Sequence, residues 1–307
     1  DIGIRFHPTR GSMSIGESKG GLPPDVLTEN ESDILKDCER VISQFHDDSP
    51  NAMIKIALAP CSPFSVSNDL MSQTALLARE NDLCMHTHLA ENSEDVEYSL
   101  EKFNMRPGEY AESLGWLGDD VWHAHCVKLD SAEVKLFGKT NTGIAHCPSS
   151  NMRLASGIAP LLEMLENNVR VGLGVDGSSS NDSGHMLNEA RQAMLLQRVK
   201  HSASVIGARD VLRTATRGGA EVLRRGNIGQ IAPGFMADIA IYDMQSVDLA
   251  GTHTDPLAAL VFCGPIKTTH TIINGNLVVK HGQLTTMDLN ALLQKHRKLS
   301  VELVNSA

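Results

Sequence analysis

Six short apolar runs, each bordered by polar residues and each followed by a stretch of helical periodicity, set the tightest limit on what this chain can fold into. They lie near residues 2–6, 53–59, 83–88, 121–125, 143–146 and 171–176. Runs this short and this continuously apolar suit strands buried on both faces. Helices between consecutive strands favour a parallel α/β fold. After the candidate capping box Thr28-x-x-Glu31, residues Ile34, Leu35, Cys38, Val41, Ile42 and Phe45 form one helical stripe. Leu70, Met71, Thr74, Leu77 and Ala78 form another, and further helices are predicted near 107–114, 131–138, 158–167 and 186–200. An open doubly wound sheet and a closed (β/α)8 barrel both satisfy this alternation. No Gly-x-Gly-x-x-Gly follows the first run, and polar residues cluster at the C-terminal ends of nearly every strand, which favours the barrel. Six units, however, would not close with the usual tilt and shear. The chain starts without Met, directly in a strand-like run, so two strands, taken as the first two, are expected to be missing.

The texture changes after about residue 225. Residues 227–234 are turn-rich, and 237–242 and 269–279, the latter with Asn274-Gly275 as a hairpin turn, read as antiparallel strands. Three parts are expected: a barrel over 1–225, part of a small β domain over 226–286 and a C-terminal helix within 287–307.

At 307 residues the chain can bury a sizeable core. Its net charge of -10 argues against a nucleic-acid partner, which needs clustered Lys and Arg. No apolar run approaches a membrane span, and nothing resembles a secretory leader. The six cysteines (Cys38, Cys61, Cys84, Cys126, Cys147 and Cys263) have no regular spacing, which points to a reducing, cytoplasmic setting.

Chemistry concentrates at strand ends. His86-Thr87-His88 closes the third run and Glu91 follows it; side chains alternate along a strand, so His86 and His88 share a face. Alone, such a pair fits two hydrogen-bonded core histidines as well as a site. The next strands end in His123-Ala124-His125, in His146 and in Asp176, and core filling does not account for the whole set. An Asp at the end of an apolar strand is costly unless paired or metal-bound. Imidazoles with a carboxylate, and no thiolate pair, suit Zn or another divalent ion such as Fe in a site with an open position. The Pro-Cys-x-x-Cys pair of other zinc deaminases is absent.

Five stretches carry a family resemblance: residues 6–13 (Phe-His-Pro-Thr-Arg-Gly-Ser-Met), 86–91 (His-Thr-His-Leu-Ala-Glu), 123–127 (His-Ala-His-Cys-Val), 146–151 (His-Cys-Pro-Ser-Ser-Asn) and 172–178 (Gly-Leu-Gly-Val-Asp-Gly-Ser). With Ala232-Pro233-Gly234-x-x-Ala237-Asp238, they resemble the amidohydrolase superfamily from residue 1 to about 285. The likeness is to its cytosine deaminase, guanine deaminase and chlorohydrolase-like branch, nearest to 8-oxoguanine deaminases, also labelled hydroxydechloroatrazine ethylaminohydrolases. It implies a (β/α)8 TIM barrel, present from its third strand onward, with a small β-sandwich domain. It further implies one metal ion per active site, with His88, His125 and Asp176 at the metal. Glu91 would be the proton shuttle, His125 the group stabilising the intermediate and Asp176 also the base. His86 and His123 read as structural, and Asn151 as a positioning group. The loops suggest Arg10 and Cys61 for substrate binding, His146 of the 146–151 motif is read with Asn151 as a positioning group and joined to the substrate-binding set, and residues 178–184 read as either a lid or a surface turn.

The implied activity is hydrolytic deamination of an oxidised purine, 8-oxoguanine to urate and ammonia, as in purine catabolism. Guanine, isocytosine or an s-triazine are the alternative substrates, and a homo-oligomer is left open. The departure from the family is its first-strand His-x-His, which has no counterpart here. A non-catalytic scaffold and a truncated fragment are therefore the rival readings.

Overall fold

The computed structural model describes residues 2–306. Six parallel strands form one sheet in sequence order: β1 (Thr9–Ser12), β2 (Ala57–Pro60), β3 (Cys84–Leu89), β4 (Val121–His125), β5 (Gly143–His146) and β6 (Arg170–Leu173). The first run meets this sheet later than its apolar residues suggest. Residues 2–6 contribute only a bridge from Phe6 to Ile54, and pairing proper begins at Thr9. β1 and β6 stand at the two ends of the order and are not paired with each other.

The helices follow the strands as the periodicity requires. α1 (Glu31–Phe45) buries Ile34 and Cys38, while Phe45 stays 52% exposed, so its stripe is narrower than expected. Its N-cap is Asn30, not Thr28; the Thr28 hydroxyl instead donates to the Asp25 carbonyl. α2 (Asn68–Glu80) is capped by Ser67, whose hydroxyl accepts the Leu70 N–H, and buries Leu70, Met71, Thr74, Ala75 and Ala78. α3 (Ser93–Phe103) and α4 (Pro107–Ser113) follow β3, and α5 (Ser131–Thr140) follows β4. Buried Glu133 in α5 accepts hydrogen bonds from the backbones of Asp130 and Gly108 and from Arg106, which ties α4 to α5. These three hydrogen bonds offset the cost of sinking that carboxylate. α6 (Pro148–Arg153) and α7 (Leu161–Glu166) lie between β5 and β6; α8 (Met186–Lys200) follows β6.

α9 (Ala208–Arg213), a π turn (Thr214–Gly218) and α10 (Gly219–Val222) run as one helical stretch against β6. Glycines permit the approach. A Cβ on Gly172 would lie 2.9 Å from Gly219 Cα, and one on Gly218 would run into the Val171 carbonyl.

The remaining strands are β7 (Ile239–Ile241), β8 (His270–Ile273), β9 (Asn276–Lys280) and β10 (Gln283–Leu284), with α11 (Pro256–Phe262) inserted after β7. They form one antiparallel sheet in the order β10-β9-β8-β7, separate from the parallel sheet, as the expected part of a small β domain. Asn274 and Gly275, both left-handed (φ 51° and 79°), make the hairpin turn read from the sequence. Arg5 anchors this sheet to the start of the chain: its guanidinium binds both oxygens of Asp238, at 2.5 and 3.2 Å. α12 (Leu289–Ser306) closes the described chain. None of the described helices is long and apolar enough to cross a membrane.

Candidate metal centre

β3 and β6 are three strands apart, a separation of roughly 14 Å in a flat sheet. Nevertheless, ligand atoms of His88, His125 and Asp176 all lie within 4.8 Å of one another. The sheet must therefore curl strongly, and this curl converts residues far apart in sequence into one donor set. The strand ends are turned sharply to achieve it. Ala90, His125, Cys126 and Asp176 all have left-handed backbones, with φ of 50°, 69°, 51° and 61°. Non-glycine residues adopt that conformation only where surrounding structure enforces it, and such residues gather at functional sites.

Each donor is backed by a second group. His88 Nδ1 lies 2.6 Å from the Cys61 carbonyl, which can only accept, so Nδ1 carries the proton and Nε2 is left for a cation. Burial works against a charged His88, but the Cys61 thiol and carbonyl and the Asp176 carboxylate outweigh it and lift the imidazole to about 9. A cation and a proton therefore compete for this ring. His125, 1% exposed, is fixed the same way by Asn151 Oδ1 at 2.9 Å from Nδ1. Asp176 Oδ2 accepts from Ser150 at 2.5 Å and Ser180 at 3.2 Å, and Oδ1 from the Gly177 N–H at 2.7 Å. Partial burial would raise its pKa, but these donors and His125 hold the carboxyl below its ordinary value, ionised at neutral pH. Two imidazoles and one held carboxylate, converging with their second nitrogens and oxygens already engaged, fit a divalent cation such as zinc, which would displace the proton that His88 otherwise binds.

Glu91 completes the cluster. Its Oε2 is 3.6 Å from His125 Nε2, which is itself 3.9 Å from Asp176 Oδ2, and its Oε1 accepts from Ser156 at 3.2 Å. One short segment thus props all three chemical side chains: Ser150 holds Asp176, Asn151 holds His125, and Ser156 holds Glu91. The sequence gives Asn151 a positioning role but does not single out Ser150, Ser156 and Ser180, because isolated serines carry no distinguishing pattern.

The other expected residues divide. A cavity of about 360 Å³ opens beside His88 and is lined by Thr9, Ser12, Met13, Glu29, Cys61 and His86 among others. Cys61 stands at the cavity wall. Arg10 does not: its guanidinium is taken by Asp37 and Glu29, at 2.7 and 2.9 Å, and it does not line the cavity. His146 is 1% exposed with neither ring nitrogen partnered; burial and the nearby His125 depress it to about 4. Neutral and buried beside His125, it is set back from the cavity. His123 is held by the Trp116 carbonyl at 2.9 Å, in the structural role expected, whereas His86, stacked on Trp122, also reaches the cavity wall. The loop 178–184 is not free to act as a lid at its middle, since Ser180 and Asn181 are buried and bound to Asp176 and Glu189.

Comparison with known proteins agrees with this geometry. The Amidohydrolase family model matches residues 1–278. An 8-oxoguanine deaminase of Pseudomonas aeruginosa is 43% identical over 304 residues, covering 99% of this chain and 68% of that protein. A hydroxydechloroatrazine ethylaminohydrolase of Pseudomonas sp. strain ADP is 36% identical over 293 residues, covering 94% of this chain and 60% of that protein. Among solved structures, atrazine chlorohydrolase from Arthrobacter aurescens TC1, complexed with zinc, superimposes with a TM-score of 0.93 at 34% identity, over 97% of this chain and 66% of its own. The chain thus spans about two thirds of the length of these relatives. With its α/β barrel-type sheet, its separate antiparallel sheet and its His, His and Asp cluster, the chain belongs to the amidohydrolase family.

Proposed function

We propose that this chain carries the chemical centre of a metal-dependent aminohydrolase that deaminates an oxidised purine, 8-oxoguanine before guanine, isocytosine or an s-triazine. The observation that carries the reading is His125 Nε2 facing two carboxylates at once, Glu91 at 3.6 Å and Asp176 at 3.9 Å. One carboxylate there can hold a cation while the other handles protons. The cavity beside His88, at about 360 Å³, is in the range of small-molecule sites and admits a flat bicyclic ring. The 43% identity to a deaminase of this substrate supports the choice within the class.

His88, His125 and Asp176 would hold the cation, with zinc the first candidate; when bound, it supplies Lewis-acid activation of water. Asp176, ionised and steadied by Ser150 and Ser180, accepts a proton from the attacking water. Glu91 delivers its proton to the ring nitrogen beside the reacting carbon, Asp176 passes the proton it took from water to the exocyclic amine, and the new hydroxyl returns a proton to Glu91 as it becomes a carbonyl. A carbon–oxygen bond forms, the carbon–nitrogen bond breaks, and ammonia leaves. Cys61 and His86 flank the ring at the cavity wall.

The test loads the full chain with zinc or ferrous ion and measures ammonia from 8-oxoguanine, guanine, isocytosine and an aminotriazine. Fastest release from 8-oxoguanine, with urate as product, is expected. Metal bound but no ammonia from any of the four would overturn the reading. Chloride release from a chlorotriazine instead would favour the second reading, dehalogenation, which the zinc-bound chlorohydrolase at TM-score 0.93 supports.

A further inference from the structure

Asp95 is a buried carboxylate that the chemistry above leaves without a task. It is 7% exposed, and burial raises its pKa to about 6 despite hydrogen bonds that pull the other way. A desolvated carboxylate at that position is costly and needs a compensating role. The residue is the third of α3, where a carboxylate ordinarily reaches back to the N-cap peptide N–H. Here it reaches one residue further. Asp95 Oδ2 accepts the backbone N–H of Glu91 at 2.7 Å.

The helix does not require this bond for its own start. Asn92 already caps it, its side-chain oxygen accepting the Asp95 N–H at 2.9 Å. What the bond does fix is the peptide of Glu91, directly after the left-handed Ala90, whose carbonyl accepts the Lys128 N–H at 2.9 Å. Ser156 then holds the far end of the same residue by its Oε1. Glu91 is clamped at its backbone by α3 and at its carboxylate by the β5–α7 segment.

We propose that Asp95 is a positioning residue for Glu91: its carboxylate anchors the Glu91 peptide to the first turn of α3 and so sets where the Glu91 side chain projects. Asp95 touches neither substrate nor cation. The proposal rests on Glu91 as the proton carrier, and its test separates the two.

The full chain is loaded with zinc and assayed with 8-oxoguanine as wild type, Asp95→Asn, Asp95→Glu and Asp95→Ala. The asparagine oxygen can still accept the Glu91 N–H, so Asp95→Asn keeps kcat within about threefold of wild type. Asp95→Ala removes the acceptor and Asp95→Glu displaces it. Both lower kcat by about 10²-fold, the usual effect of a misplacement near 1 Å, with KM and bound zinc unchanged. Should the alanine variant fail to fold, the glutamate variant carries the comparison. Hydrogen exchange at the Glu91 amide, read by NMR without any substrate, speeds up in the alanine and glutamate variants and stays slow in Asp95→Asn. Unchanged exchange in Asp95→Ala, or kcat within twofold of wild type, overturns the proposal. So does an asparagine variant as impaired as the alanine one. If wild type itself releases no ammonia while the exchange pattern holds, the assigned activity fails and the anchoring of Glu91 stands.

Discussion

Asn151 Oδ1 accepts the Nδ1 proton of His125 across 2.9 Å in a wholly buried contact, and this one bond decides which nitrogen of His125 faces Glu91 and Asp176. Without it the ring can carry its proton on either nitrogen and can rotate. Asn151→Leu is therefore expected to weaken zinc binding by about 10–100-fold, the range seen when such backing groups are lost. Competition titration with a chromogenic chelator measures it, and unchanged affinity would remove Asn151 from this role.

Glu91→Gln keeps the size and the Ser156 contact of the side chain but cannot carry a proton. Zinc content should match wild type while deamination falls by about 10²–10⁴-fold. Near wild-type turnover would sink the assignment.

Arg10→Met should leave the ranking of 8-oxoguanine over guanine unchanged, because the guanidinium is spent on Asp37 and Glu29 rather than on the cavity. The expected change is a modest loss of melting temperature from unpairing β1 and α1. A reversed substrate ranking would return Arg10 to the site.

Gly218→Ala puts a methyl group against the Val171 carbonyl where α10 begins, so the helical stretch must back away from β6. Overpacking of this kind costs about 1–3 kcal/mol. Urea unfolding should show a lower midpoint with an unchanged slope.

His7 sits against Trp122 at 5.7 Å between ring centroids, with neither nitrogen partnered. Burial first, then Arg225, Lys55 and His46, pull its pKa from 6.5 to about 3. Between about pH 3 and 6.5 the folded form therefore holds fewer protons at this residue than the unfolded form. Its contribution is complete above pH 6.5 and is lost as the pH falls toward 3. His7→Phe keeps a ring beside Trp122 and should flatten the fall of stability over that window, followed by denaturant midpoints at pH 7, 6, 5 and 4. An unchanged pH slope would show that His7 does not titrate on unfolding.

What the sequence disclosed follows from what periodicity can encode. β4 and β5 fell where their apolar runs begin and end, because both are buried and bounded by polar residues. β1 was displaced, since the apolar residues 2–6 run beside the sheet with a single bridge and pairing starts in the polar Thr9–Ser12. His88, Glu91, His125 and Asp176 were legible because ionisable residues at apolar strand ends need a reason to be there. Arg10 looked equally placed, yet a lone cation has no signature that tells a ligand contact from an ion pair with α1. Asp95 and the three serines were invisible for a related reason. Their roles lie in hydrogen bonds across 4 to 65 positions of sequence, which no local pattern records.

The props of the reaction centre lie together on the segment from Ser150 to Ser156, whereas most of the cavity wall is drawn from β1, the residues after it and the end of β2, with His86 and His88 of β3 closing it. Substitutions in β1 or at the end of β2 can therefore reshape the cavity while Asp176, His125 and Glu91 keep their places, and a change in the short segment would disturb all three at once. Such a division separates the shape of the cavity from the bracing of the side chains at its floor.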